Sequence, residues 1–226
     1  MKKIVICVAS LLCITGLVAQ DSGENALGSW HMYFGTNRVS DKLSIHTEGQ
    51  LRYYETGENF NQLLLRTGLN YHIDPNAIVT GGYAFIDTDP TFEELAGDRD
   101  ITEHRIFEQL ILKNKVWELL FEHRYRLEQR FLNFGQNNTD VQHRARYRVQ
   151  VTLPLTDTFF LNFYDEVFLN LQDQVFGQNR MYAAVGIHVT NNLSVQSGYL
   201  KNHFNNTNFD RLQVAVFYNP DFRKQK

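Results

Sequence analysis

Cysteine is almost missing from this chain. Its two copies, Cys7 and Cys13, both fall within the first 20 residues, which read as a secretory signal: Lys2 and Lys3 give a positive start, Ile4 to Val18 a mostly apolar run, and Ala19 precedes Gln20. With cleavage after Ala19, residues 1–19 are the signal and 20–226 a single mature domain without a thiol. That excludes disulfides, cysteine nucleophiles and thiolate metal sites. Acylation of Cys13 is disfavoured by Leu12, which stands where a small side chain belongs.

Long apolar runs are lacking as well. The signal is short for a spanning helix, and no later segment approaches the roughly 18 apolar residues that such a helix requires. Residence in a membrane therefore calls for a barrel. The four prolines and the serines form no linker-like stretch, in keeping with one domain. An excess of positive charge is missing too. Without Lys2 and Lys3 the chain keeps 20 basic residues against 25 acidic ones, so nothing calls for nucleic acid as a partner.

What the chain does have is alternation. From Trp117 to Phe131 (WELLFEHRYRLEQRF), Trp117, Leu119, Phe121, Tyr125, Leu127 and Phe131 share one parity, and Glu118, Glu122, Arg124, Arg126, Glu128 and Arg130 share the other. A period of two is that of a strand, whose successive side chains point to opposite faces. At about 3.3 Å per residue such a strand reaches about 50 Å, far beyond the common strand of a globular protein. The stretch from Asp140 to Leu153 (DVQHRARYRVQVTL) repeats the arrangement. The length favours a tilted strand crossing a bilayer, with the charged face toward a lumen and the aromatic face toward lipid.

Read this way, strand candidates run over 27–36, 41–55, 61–73, 77–88, 102–114, 116–131, 140–153, 157–170, 178–190, 192–203 and 208–219. Tight turns at Asp74-Pro75-Asn76, Asn114-Lys115, Pro154 to Asp157 and Asn191-Asn192 alternate with longer polar segments around Thr56 to Phe60, Thr88 to Ile101, Leu132 to Thr139, Gln172 to Gln178 and Phe204 to Thr207. Short turns on one side and longer loops on the other have the shape of an outer-membrane barrel, and such barrels normally hold an even number of strands. The expectation is an all-β, antiparallel transmembrane β-barrel of about 10 to 12 strands. Ten of them close the ring, and the piece from Leu27 to Gly35 lies in the lumen or periplasm.

KLSIHTEGQLRYYE from Lys42 to Glu55, EHRIFEQ from Glu103 to Gln109, EHRYRLEQRF from Glu122 to Phe131, RARYRVQ from Arg144 to Gln150 and FYDEVFLN from Phe163 to Asn170, together with Trp30, resemble an uncharacterised family of Gram-negative outer-membrane β-barrels. The resemblance covers essentially the whole mature chain. It implies an outer-membrane barrel with a charged interior and brings no reaction or catalytic residue with it.

The charged rows are the main candidate site. Glu48 and Arg52 fall on the inward parity with a ladder of Arg66, Arg105, Glu122, Arg124, Arg126, Glu128, Arg130, Arg144, Arg146, Arg148, Glu166 and Arg180. Like charges opposite one another are unfavourable unless carboxylates interleave, and Glu122, Glu128, Glu166 and Asp140 are the expected partners. Two readings follow: an ion-paired core filling a narrow barrel, or a narrow pore whose arginines favour anionic solutes. An enzyme reading rests on His123 and His143, which fall on the lipid-facing parity of adjacent strands but lack a serine nearby. Histidines at the headgroup boundary explain them more simply, as an interfacial girdle explains Tyr125 and Tyr147. Ser44 with His46, and Ser29 with His31, have spacings that arise often by chance. Asp87, Asp89, Glu93, Glu94, Asp98 and Asp100 make the longest loop acidic without matching a cation-binding motif.

These residues point to an outer-membrane channel or transport-related barrel without catalytic residues, cofactor or metal. Outer-membrane lipid, the barrel-assembly machinery and a small anionic solute are its expected partners. A structural or envelope-interaction barrel with a plugged lumen is one alternative, a lipid-modifying enzyme the other.

Overall fold

A computed structural model describes residues 23–92, 100–172 and 174–223. The signal expected over 1–19, with both cysteines, and the loop residues Glu93, Glu94 and Asp98 lie outside the described residues. The alternating segments form eleven strands: β1 (Leu27–Arg38), β2 (Leu43–Tyr53), β3 (Phe60–Asp74), β4 (Ala77–Thr88), β5 (Ile101–Val116), β6 (Leu119–Asn133), β7 (Thr139–Pro154), β8 (Phe159–Asn170), β9 (Phe176–Thr190), β10 (Leu193–His203) and β11 (Asn208–Tyr218). Each strand hydrogen-bonds to the next in antiparallel fashion, and β1 pairs in parallel with β11 to close the barrel.

The closed ring therefore holds eleven strands, not ten, and the segment expected outside it is β1. The physical reason lies in the sheet edges. Without β1, the backbone donors and acceptors of β2 and β11 would line an open slit, and closure is what removes such edges. Directions alternate from strand to strand, so an odd number leaves one parallel seam. Nine register pairs, from Leu27 opposite Asp210 to Gly35 opposite Tyr218, make that seam, and the stacked rings of Phe34 and Phe217 cover it from inside.

A second correction concerns the turn expected at Asn114-Lys115. Those residues continue β5, and the chain reverses at Trp117-Glu118 between the partners Val116 and Leu119. Trp117 takes a left-handed backbone, with φ of 53°, and is 87 % exposed. The polar Lys113-Asn114-Lys115 run looks like a turn because β5 to β7, at 15 to 16 residues, rise beyond most of their neighbours.

Tight connections gather at one end of the barrel and the longer loops at the other, as the alternating segment lengths foreshadow. At the turn end the tail after β11 folds back onto β1. The Arg38 amide donates to the Pro220 carbonyl and the Phe222 amide to the Arg38 carbonyl, both at 2.9 Å. Arg223 then pairs with Asp221 at 2.6 Å and with Asp41 of the β1–β2 turn at 2.8 Å.

The barrel is inverted relative to a globular core. Leu51, Leu65, Leu69, Tyr71, Val79, Ile106, Tyr125, Leu127, Phe163, Val185 and Tyr199 face outward and are exposed all round the wall, whereas buried side chains are more often polar than apolar. The interior is itself divided. Trp30, Met32, Tyr182, Ala184, Leu200 and Ala215 pack together beside the β1–β11 seam, Leu64, Ala84 and Ile86 form a smaller apolar cluster on β3 and β4, and the charges concentrate on β5 to β8.

Candidate functional site

The period-two geometry of β5 to β8 delivers charged side chains to the lumen at every second residue. Arg66, Arg105, Glu122, Arg124, Arg126, Arg130, Arg144, Arg146, Arg148, Glu166 and Arg180 all line a central cavity of about 1100 Å³, and Glu128 is sealed among them. Residues of both ends line the same cavity, among them Arg38, Lys42 and Asp74 at the turn end and Tyr54, Thr88 and Phe209 at the loop end.

Glu128 is the hub. It accepts from Arg144 Nε at 2.8 Å, Arg146 Nη1 at 2.7 Å and Arg105 Nη1 at 3.4 Å, with Arg126 Nη1 at 3.7 Å. Arg146 reaches on to Glu166, which Arg124 also holds at 2.7 Å. Arg130 grips Glu103 with two nitrogens at 2.8 and 2.9 Å, and Arg105 reaches the same carboxylate at 2.6 Å. Glu48 takes Arg66 at 2.7 Å and His46 at 3.1 Å, and accepts from Gln50. Nearer the turn end, Glu122 pairs with Arg148 at 2.6 Å and Lys113 at 3.7 Å. Burial removes the hydration of these ions, and multiple charge-assisted hydrogen bonds per carboxylate offset that cost.

Aromatic rings separate the guanidinium groups. Arg66 and Arg126 lie over Phe107, at 5.3 and 5.0 Å from its centroid. Gly82 makes room for that ring, which a Cβ there would meet at 2.7 Å. Arg146 and Arg180 share Phe168 at 4.1 and 4.5 Å, and Arg52 and Arg180 share Trp30 at 4.0 and 4.8 Å. Stacking on a ring face stabilises a desolvated cation without neutralising it.

Charge is not balanced. Between the rims eleven arginines, adding Arg52 and Arg211 to those of the ladder, face five glutamates. Among the described residues none of three arginines has an ion pair: Arg52 bonds the amide oxygens of Gln50 and Gln62, Arg211 bonds backbone carbonyls and lies over Phe209, and Arg180 lies over two aromatic rings.

Asp140 does not join the network. It accepts from Gln142 at 2.8 Å in an exposed position at the loop end, and Glu103 supplies the carboxylate instead. Glu103 shares parity with Arg105, two residues on, which is the signal that marks it. Trp30, Phe107 and Phe168 are the other omissions. Their lumenal position shows that aromatic residues are not confined to the outer face, and Phe107 and Phe168 likewise share parity with the charges beside them.

The histidines have other partners. On the outer wall His123 Nδ1 meets the Tyr147 hydroxyl at 2.8 Å, and the His143 amide donates to Gln172 at 2.8 Å. Inside, Ser44 Oγ lies 2.8 Å from His72 Nε2, not beside His46, and a chain through Asn70 continues to Thr80. Ser44 is fully buried, so this hydroxyl offers no face to a substrate.

No curated protein and no solved structure matches the chain. A family model described as "Protein of unknown function (DUF2490)" matches residues 27–213, from the first residue of β1 into β11, and the chain belongs to that family.

Proposed function

We propose that this protein is an outer-membrane β-barrel of a Gram-negative envelope, exported by a signal over residues 1–19 and inserted by the barrel-assembly machinery, whose lumen passes small anionic solutes. The carrying observation is the surplus of arginine in a cavity lined by residues of both ends. Rings of like-charged side chains in a narrow lumen favour counter-ions. An apolar exterior encircling the wall suits lipid, which asks for no hydrogen bonds from a closed barrel. The reading involves no catalytic step and no cofactor.

A second reading, a plugged barrel with a structural or envelope-interaction role, draws on the Glu128 hub. That carboxylate is 1 % exposed and ties the neighbouring strands β5, β6 and β7 together on the lumenal face. Planar-bilayer recordings on purified, refolded protein separate the two, with folding checked by heat-dependent migration on a gel. The channel reading expects discrete steps with an anion-selective reversal potential, reduced when Arg126 and Arg146 are both replaced by Gln. A folded barrel that stays silent in both forms would transfer the case to the plugged reading.

A further inference from the structure

We propose that the lumen contains a defined binding site for a small, doubly charged oxyanion of the phosphate or sulfate class, held by Arg52 and Arg180 beside Trp30. This deepens the anion-lumen reading and rests on it for access to the site.

The two arginines approach one indole at 4.0 and 4.8 Å, so their guanidinium carbons are no further apart than the sum of those distances. At such a separation, inside a protein wall, two like charges repel appreciably. Elsewhere in the lumen a carboxylate intervenes between neighbouring arginines: Glu128 between Arg105, Arg144 and Arg146, and Glu103 between Arg105 and Arg130. Neither Arg52 nor Arg180 forms an ion pair among the described residues. The partners of Arg52 are neutral amides; Arg180 has Asn202 as its register partner on β10 and Glu166 on β8, and Glu166 is already held by Arg124 and Arg146.

Donors are in surplus at the same place. The Trp30 Nε1–H and the Arg180 Nε–H have no acceptor among the described residues, and Trp30 is only 4 % exposed. Buried donors of this kind are costly when unmatched. A ligand that answers both the charge and the donors must be anionic and rich in acceptors. Two cations without an ion pair of their own match a divalent oxyanion better than chloride, which has a single charge and no directional oxygens. The cavity is larger than a bare ion, so the oxyanion can be one group of a larger solute.

Trp30 supplies its own reporter. The chain contains two tryptophans, and the other, Trp117, sits exposed at the β5–β6 turn. Trp117→Phe therefore leaves a single fluorophore at the site. Refolded barrels of this variant, titrated with sodium sulfate or phosphate against sodium chloride at matched ionic strength, are expected to show a saturable change in Trp30 emission with the oxyanions only. Arg180→Gln in the same background should raise the dissociation constant at least about tenfold, the equivalent of one charge-assisted hydrogen bond. Arg180 bridges no carboxylate, so the variant is expected to keep the heat-dependent gel shift; should it not, Arg180→Lys, which keeps the charge and loses the planar stack, is expected to weaken binding less than a full loss. An unchanged emission, an equal response to chloride, or a dissociation constant indifferent to Arg180 overturns the site. A barrel that binds sulfate but conducts nothing removes the channel reading and leaves the site standing. A conducting barrel whose Trp30 is blind to sulfate does the reverse.

Discussion

Arg126 and Arg146 are register partners across β6 and β7 and both approach Glu128 Oε1, yet their other bonds lead in opposite directions. Arg126 bonds Gln109 of β5 at 2.5 and 2.9 Å and lies 3.7 Å from Glu128, whereas Arg146 joins Glu128 to Glu166 of β8 at 2.7 and 2.8 Å. Two like charges on one hairpin thus differ in what holds them: two carboxylates bond Arg146 directly, and an amide bonds Arg126.

The two positions should respond differently to the same substitution. Arg146→Gln takes one arginine from each of two buried carboxylates, leaving Arg144 and Arg105 on Glu128 and Arg124 on Glu166, and is expected to cost about 1.5–3 kcal/mol, the range for a hydrogen bond to a charged group. Arg126→Gln removes a cation whose hydrogen-bond partner is an amide, whose carboxylate Glu128 lies at 3.7 Å and whose neighbours include Arg124, Arg66 and Arg146, so a loss of no more than about 1 kcal/mol is expected. Urea midpoints of the refolded proteins measure both. Equal losses would mean that the network shares charge without regard to these particular contacts.

The tail at the turn end makes a separate prediction about pH. Hydrogen bonds from Arg223 hold the exposed Asp221 carboxyl down to about 2, against about 4 for an unperturbed aspartate. A depressed folded pKa means that the latch contributes in full above about pH 4 and is lost as pH falls through about 2. Carbon-13 detection of the Asp221 carboxyl should give its midpoint near 2, returning toward 4 in Arg223→Ala. At neutral pH, Asp221→Asn should speed hydrogen exchange at the Phe222 amide, which bonds the Arg38 carbonyl. Exchange unchanged from the parent would show that the tail is held by its backbone bonds alone.

Much of this architecture is legible because charge and apolarity segregate by parity. In β6 the charged residues are lumenal and the apolar ones external, so alternation alone orients Glu122 through Arg130. In β1 the rule loses its contrast. Trp30, Met32 and Phe34 face inward while Leu27 and Tyr33 face outward, so both faces carry apolar residues and the first lumenal charge is Arg38 at the strand's end. That is why the closing strand reads as a stray segment, and why Trp30 is overlooked. Parity also fixes only which face a side chain takes. It cannot tell that Arg126 reaches backward to Gln109 and Arg146 forward to Glu166, with Arg126 over Phe107 and Arg146 over Phe168, because such choices depend on side-chain packing across several strands.

The odd strand count has a consequence for the two termini. β1 and β11 run in the same direction, so the chain enters β1 at the loop end and leaves β11 at the turn end. Glu24, just before β1, is anchored at the loop end through the backbone and side-chain amides of Asn208, both at 2.9 Å, while Asp221 and Arg223 are latched to the opposite rim. A meander of ten or twelve strands would return both termini to one side. Under the proposed outer-membrane placement, with loops outside and turns in the periplasm, an epitope inserted after Gln20 is expected to bind antibody on intact cells, and one appended after Lys226 only once the outer membrane is permeabilised. Labelling of both tags under the same condition would require an even number of strands and would break the parallel seam between β1 and β11. Reversed accessibility would keep the seam and turn the barrel over in the membrane, placing the long loops, with the Tyr54 and Phe92 rings that pack edge to face there, in the periplasm.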